Sequence, residues 1–126
     1  MRPPMANAIA RRLTLELGLL PAEQTFAVCW IALCLLPLGA QGRHEVARAK
    51  RVREEFRAIA SHPDEMPDNL ELTGGTIVLS AEDHAWLVTQ VEAIQWKGGN
   101  IDAVTAAFAM LDAADAVTAS DLKGGA

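Results

Sequence analysis

The residues best equipped for chemistry in this 126-residue chain are its histidines, its cysteines and the acids beside them. His62 stands close to Asp64 and Glu65, and His84 directly follows Glu82 and Asp83. Imidazole and carboxylate both ligate metals, but a stable site needs several ligands converging at fixed distances. Neither cluster has a spacing that imposes this, so both read as ordinary loop and helix-start polarity and no metal is expected. Cys29 would be a nucleophile only as a thiolate with a base beside it. It sits in the most apolar stretch of the chain, where burial raises a thiol's pKa and blunts it. On a helix, the spacing of Cys29 and Cys34 amounts to about 500° of rotation, so the two cannot pair within it. Both read as buried small hydrophobes of a reducing, cytoplasmic compartment. Lys97-Gly98-Gly99 lacks the rest of a phosphate cradle, and the chain has no G-x-G-x-x-G, H-E-x-x-H or paired C-x-x-C. The expectation is a non-enzyme with no catalytic residues, no cofactor and no small-molecule substrate.

Charge and tryptophan are more informative. Residues 1–61 hold nine Lys/Arg and five Asp/Glu, a net of +4, and residues 62–126 hold two and eleven, a net of -9, which together give the total of -5. Such halves can attract within one fold or head to tail between copies, or simply be solvated faces. The basic half centres on residues 43–57, where Arg48, Arg51 and Arg57 are candidates for charge complementarity. These cations could also release counterions from nucleic acid. Three glutamates in the same stretch and the absence of interleaved aromatics count against that. Trp86 and Trp96 lie off the apolar stripe formed by Leu87, Val91 and Ile94 on a helical wheel. They need a second neighbour, either another helix of this chain or a partner protein, and tryptophan is enriched where partners bind most tightly.

The elements that must position these residues are mainly helical. Ile9, Leu13, Leu17 and Leu20 recur at helical spacing and predict a helix over residues 6–20, ended by Gly18 and Pro21. Pro21 and Glu23 suit the start of a second helix, which runs apolar all round from Phe26 to Leu36 and stops at Pro37. The uncharged run of residues 25–42 is at the lower edge of membrane-spanning length. Pro37, Gly39 and Gly42 shorten it to a core helix, and Glu16 and Glu23 upstream do not suit a signal peptide. A soluble reading is therefore preferred to a membrane segment over 25–40. Residues 43–60 form an amphipathic helix with Val46, Ala49, Val52, Phe56, Ile59 and Ala60 on one face. A loop follows over 64–69.

Residues 70–79 predict a short hairpin turning at Gly74-Gly75. Ser80 and Asp83 then form a variant capping box for a helix that Gly98-Gly99 ends. Asn100 would cap the last helix, whose Ile101, Val104, Phe108 and Leu111 make a stripe and whose alanines allow close approach. The short break between these two helices predicts an antiparallel pair. The sum is a compact, mainly α domain of about five helices with one β-hairpin near 70–79, spanning residues 1–119, with a flexible tail over 120–126.

From Val78 onward the layout resembles small accessory and structural proteins of tailed bacteriophages and prophages. Leu79-Ser80, Asp83, Leu87, Val91, Trp96, Val104, Leu111 and Asp112 carry the likeness: a strand entering a capped helix, a late tryptophan, and a second helix ending in Leu-Asp-Ala-Ala. The resemblance implies a virion-assembly role performed through contacts, and incorporation in a virion, and it assigns no functional residues. The expectation is a protein–protein interaction protein that binds itself or a larger assembly through Trp86, Trp96, Arg48, Arg51 and Arg57. The alternatives are a nucleic-acid-binding regulator using 43–57 and a membrane-associated protein using 25–40.

Overall fold

The computed structural model describes residues 8–36, 42–61 and 70–118. The chain is mostly helical, with four α-helices and two small antiparallel sheets among these residues. The elements run β1 (Ala8–Leu15), α1 (Leu20–Cys34), α2 (Arg43–Arg57), β2 (Ala60–Ser61), β3 (Glu71–Leu72), β4 (Gly75–Ser80), α3 (Ala81–Ala93), a 3-10 turn (Gly98–Asn100), α4 (Ile101–Asp112) and β5 (Asp115–Thr118). The tail over 120–126 and the His62, Asp64 and Glu65 cluster lie outside the described residues.

The first predicted helix is instead a strand. β1 is the centre of a three-stranded sheet ordered β4-β1-β5 and pairs antiparallel with both neighbours. Leu13 and Leu15 are buried and Thr14 between them is exposed, a strand's period of two. Ile9, Leu17 and Leu20, which made the helical stripe, are all exposed. Backbone pairing on both edges of β1 outweighs the weak local preference for helix.

Gly18, at φ +95°, turns the chain from β1 into α1. Its N–H donates to the Glu23 carboxylate at 2.9 Å, and Pro21 occupies the first turn of α1 as its sequence suggests. α1 is central: Ala22, Thr25, Phe26, Val28, Cys29, Trp30, Ala32 and Leu33 are buried. It packs most extensively on α4 and also touches α2, α3 and β1. Phe26 meets the Phe56 ring of α2 at 6.0 Å between centroids. Among the described residues, no helix is long and apolar enough to cross a membrane. Cys29 is buried, but Cys34 at the end of α1 is exposed, which corrects the expectation of two buried thiols. With the helix apolar all round, periodicity could not show which side faces out.

α2 buries Ala49, Val52 and Phe56 of its expected face, but it ends at Arg57, leaves Val46 exposed and gives Ala60 to β2, so the face over 43–60 is only partly realised. The hairpin over 70–79 does not form. β3 pairs with β2, through Ala60 opposite Leu72, while β4 pairs with β1, through Leu13 opposite Ile77. Gly74 and Gly75 do adopt positive φ, but they carry the chain from one sheet to the other. A Cβ at Gly75 would come within 2.6 Å of Ile59 Cγ2, so only glycine allows this approach.

The Ser80 cap forms as expected, with the Asp83 N–H donating to Ser80 Oγ at 3.0 Å. At the head of α4, Asn100 makes no side-chain cap. α4 lies mainly on α1, with only slight contact to α3, so the expected pairing of the last two helices is replaced. Ala107 and Leu111 form its buried line, and Ile101 is exposed. Carbonyls at the end of α4 are met by side chains of other elements. Arg11 Nε donates to the Ala114 carbonyl at 3.0 Å and Arg11 Nη2 to that of Asp112 at 3.2 Å. His84 Nε2 donates to the Leu111 carbonyl at 2.8 Å. A cation at a helix C-terminus opposes its negative dipole end.

Candidate functional site

The site is built by the charged face of α2, the outer edge of β4 and the first turn of α3. Ala47, Lys50, Arg51, Glu54 and Glu55 recur at i, i+3, i+4, i+7 and i+8, so they share one face of α2. That face is distinct from the buried Ala49, Val52, Phe56 line. Opposite it stand Val78, Leu79 and Ser80 of β4, with Asp83 closing one end. The space between is an open cleft of about 820 Å³.

Two contacts fix the direction of the walls. Gly75 at the start of β4 abuts Ile59 just beyond α2, and Asp83 just beyond β4 meets Arg48 and Arg51 near the middle of α2. The helix and the strand therefore run antiparallel along the cleft. β4 has β1 on one side and no strand on the other among the described residues. Its outward N–H and C=O groups are thus available to a further strand.

Asp83 organises the closed end. Its side chain is nearly buried, and its Oδ1 lies 2.9 Å from Arg48 Nε and 3.0 Å from Arg51 Nη2. Oδ2 accepts from Arg51 Nε at 3.2 Å, which makes the Arg51 contact two-pronged. The hydrogen bond and the charge of Asp83 raise the Arg51 pKa above its ordinary value. Arg48 also reaches Glu45 at 3.7 Å and Glu82 at 3.6 Å. The basic and acidic halves of the chain meet here.

The structure brings together three of the five contact residues expected from sequence. Arg48, Arg51 and Trp86 gather around Asp83 and Glu45, with Trp86 Nε1 donating to Glu45 Oε2 at 2.7 Å. The second neighbour of Trp86 is therefore α2 of the same chain. Trp96 is elsewhere: its Nε1 donates to the Val91 carbonyl at 2.9 Å, folding the indole back on the end of its own helix. Arg57 is also apart, 3.2 Å from Glu54 and above the Trp30 ring at 5.8 Å, with Arg53 above the same ring at 5.6 Å. Sequence reasoning missed β4 as a wall of the site. The run Thr76-Ile77-Val78-Leu79 signals a strand, but only tertiary pairing decides that it lies at an edge.

Asp83 and His84 point apart, one to the arginines and the other to the Leu111 carbonyl. Burial lowers the His84 pKa most; its bond to Leu111 raises it, nearby Arg11 lowers it and Asp112 raises it, with a net fall. Burial pushes the Cys29 thiol up to about 12, far from a thiolate at neutral pH. The cleft walls hold no Cys, His or hydroxyl other than Ser80, and Ser80 Oγ accepts from the Asp83 N–H. What the cleft offers is a strand edge, a small apolar floor of Ala47, Val78 and Leu79, and alternating charges. No protein-family model matches the chain, and neither a curated protein nor a solved structure was found to be similar to it.

Proposed function

We propose that this chain is a non-enzymatic interaction protein that takes an extended segment of a partner polypeptide into the cleft between α2 and β4. The observation that carries this reading is the open edge of β4 facing a cleft of about 820 Å³. A segment lying antiparallel or parallel to β4 would form main-chain hydrogen bonds along the edge. Successive side chains would then point to opposite faces of the sheet, one set beside Leu79 and the charged face of α2 and the other beside Val78. Main-chain bonding supplies affinity and the mixed charges supply selectivity. The likeness of the region around residues 78–115 to small phage proteins is our ground for placing that partner in virion assembly.

The same α2 supplies the basic residues of the nucleic-acid reading, and no comparable observation favours that use. Arg48 and Arg51 face Asp83, and Arg53 and Arg57 face Trp30.

A random linear peptide library displayed against the immobilised chain tests the proposal. The expected result is a family of sequences with apolar residues at alternate positions, whose binding is lost in Val78→Lys and weakened in Glu54→Lys. Enrichment of no peptide, or of peptides indifferent to both substitutions, would overturn it.

A further inference from the structure

The two ends of α1 carry surfaces that meet the cleft only at Lys50 and Glu54, and they are opposite in character. At the start of α1, Leu17, Leu19 and Leu20 stand 62%, 52% and 65% exposed within four residues. Glu16 and Glu23 flank them, and Glu71 lines the adjoining hollow with Leu17. Among the described residues, neither Glu16 nor Glu71 forms an ion pair. Leu17 and Leu19 line adjoining hollows at this end of the molecule, and large apolar side chains exposed together beside charges of one sign mark an interaction surface.

At the other end of α1, Leu33 and Leu36 face Val46 and Ala49 of α2 across a groove of about 280 Å³. Its rim is basic: Lys50, Arg53 and Arg57, with one acid, Glu54, already paired to Arg57. Among the described residues, neither Lys50 nor Arg53 has a carboxylate partner. The groove has room for a leucine side chain. Leu20 and Leu33 are separated by about 20 Å along the helix axis at 1.5 Å per residue.

From these observations we infer that the molecule associates head to tail with further copies of itself. The Leu17, Leu19 and Leu20 knob of one copy enters the groove between α1 and α2 of the next. The acid-rimmed knob and the base-rimmed groove complement each other in charge and in apolar content. Because they are different surfaces at opposite ends of one helix, the contact is heterologous. It leaves a free knob and a free groove on every pair, so assembly continues to a ring or a filament. The groove shares Lys50 and Glu54 with the cleft along β4, but Leu19 and Val46 do not line that cleft, so substitutions at these two positions test the assembly separately from the cleft.

The experiment is sedimentation velocity on the full chain, on two single variants and on their mixture. Leu19→Asp removes the centre of the knob and puts a favourable capping residue at the N-cap of α1, so the fold is retained. Val46→Asp places an acid in the groove at an exposed position. Wild-type protein should sediment as species that grow with concentration and shrink at high salt. Each variant alone should be monomeric. An equimolar mixture of the two should give a 1:1 dimer and nothing larger, because one intact knob meets one intact groove. A monomeric wild type, assembly unaffected by either variant, or a mixture that stays monomeric would each overturn the inference.

Discussion

Replacing Asp83 with asparagine keeps its shape and removes the charge that joins α2 to α3. The magnitude follows from the surroundings of the carboxylate. Its side chain is 9% exposed, Arg48 beside it is 27% exposed, and Arg51 is 57% exposed. Arg51 is too open to water to add much. The sheltered contact to Arg48 and the favourable place of a negative charge in the first turn of α3 together set the loss at about 2 kcal/mol. In a domain of this size that corresponds to a fall in Tm of roughly 8 °C. Glu82→Gln is the control. Glu82 is 86% exposed and 3.6 Å from Arg48, so its loss should cost less than about 0.5 kcal/mol. Thermal and urea unfolding followed by circular dichroism measure both variants, and the difference should largely survive high salt because the pair is sheltered. The reasoning is refuted if Asp83→Asn is as mild as Glu82→Gln, or if salt abolishes the difference.

Four further outcomes are expected. Gly75→Ala should destabilise the fold by about 2–3 kcal/mol in urea unfolding, since the added methyl meets Ile59 at 2.6 Å on a backbone of positive φ. Phe56→Ala should cost about 3–5 kcal/mol by the same assay, because the ring is fully buried against Phe26. Burial keeps the His84 pKa below its ordinary value in the fold, so the unfolded chain takes up its proton first as pH falls. Its contribution is complete above the ordinary value of 6.5 and is lost below it, and His84→Gln should flatten the dependence of stability on pH in that window. A disulfide reagent should label Cys34 in the native chain and reach Cys29 only after denaturant is added, as quantified by released chromophore.

How far the sequence revealed the fold depended on how local each signal was. α2 and the start of α3 were legible because a charged face opposite Val52 and Phe56, and a serine three residues before Asp83, act within one or two turns. β1 was not. Ile9, Leu13, Leu17 and Leu20 have helical spacing while Leu13, Leu15 and Leu17 alternate, and the same residues satisfy both periods. The choice is made by partners sixty or more positions away in Gly75–Ser80 and Asp115–Thr118. Gly74-Gly75 marks unusual backbone by residue type alone, but a Gly-Gly between two strands usually closes a hairpin, and nothing local shows that here it joins two sheets. The candidate site was half legible for the same reason. Arg48, Arg51 and Trp86 declared themselves by type and spacing, whereas the open edge of β4 is a property of strand order and leaves no mark on β4's own residues.

Amide hydrogen exchange, read residue by residue by NMR in the free chain and with a peptide selected for binding, tests the use of the β4 edge most directly. In the free chain, amides of β4 that face β1 should be protected and those that face outward should exchange quickly. Bound peptide should slow the outward amides between Gly75 and Ser80 and shift the resonances of residues 47–55 on α2. Outward β4 amides that stay fast while the peptide is bound would show that the edge is not the docking surface.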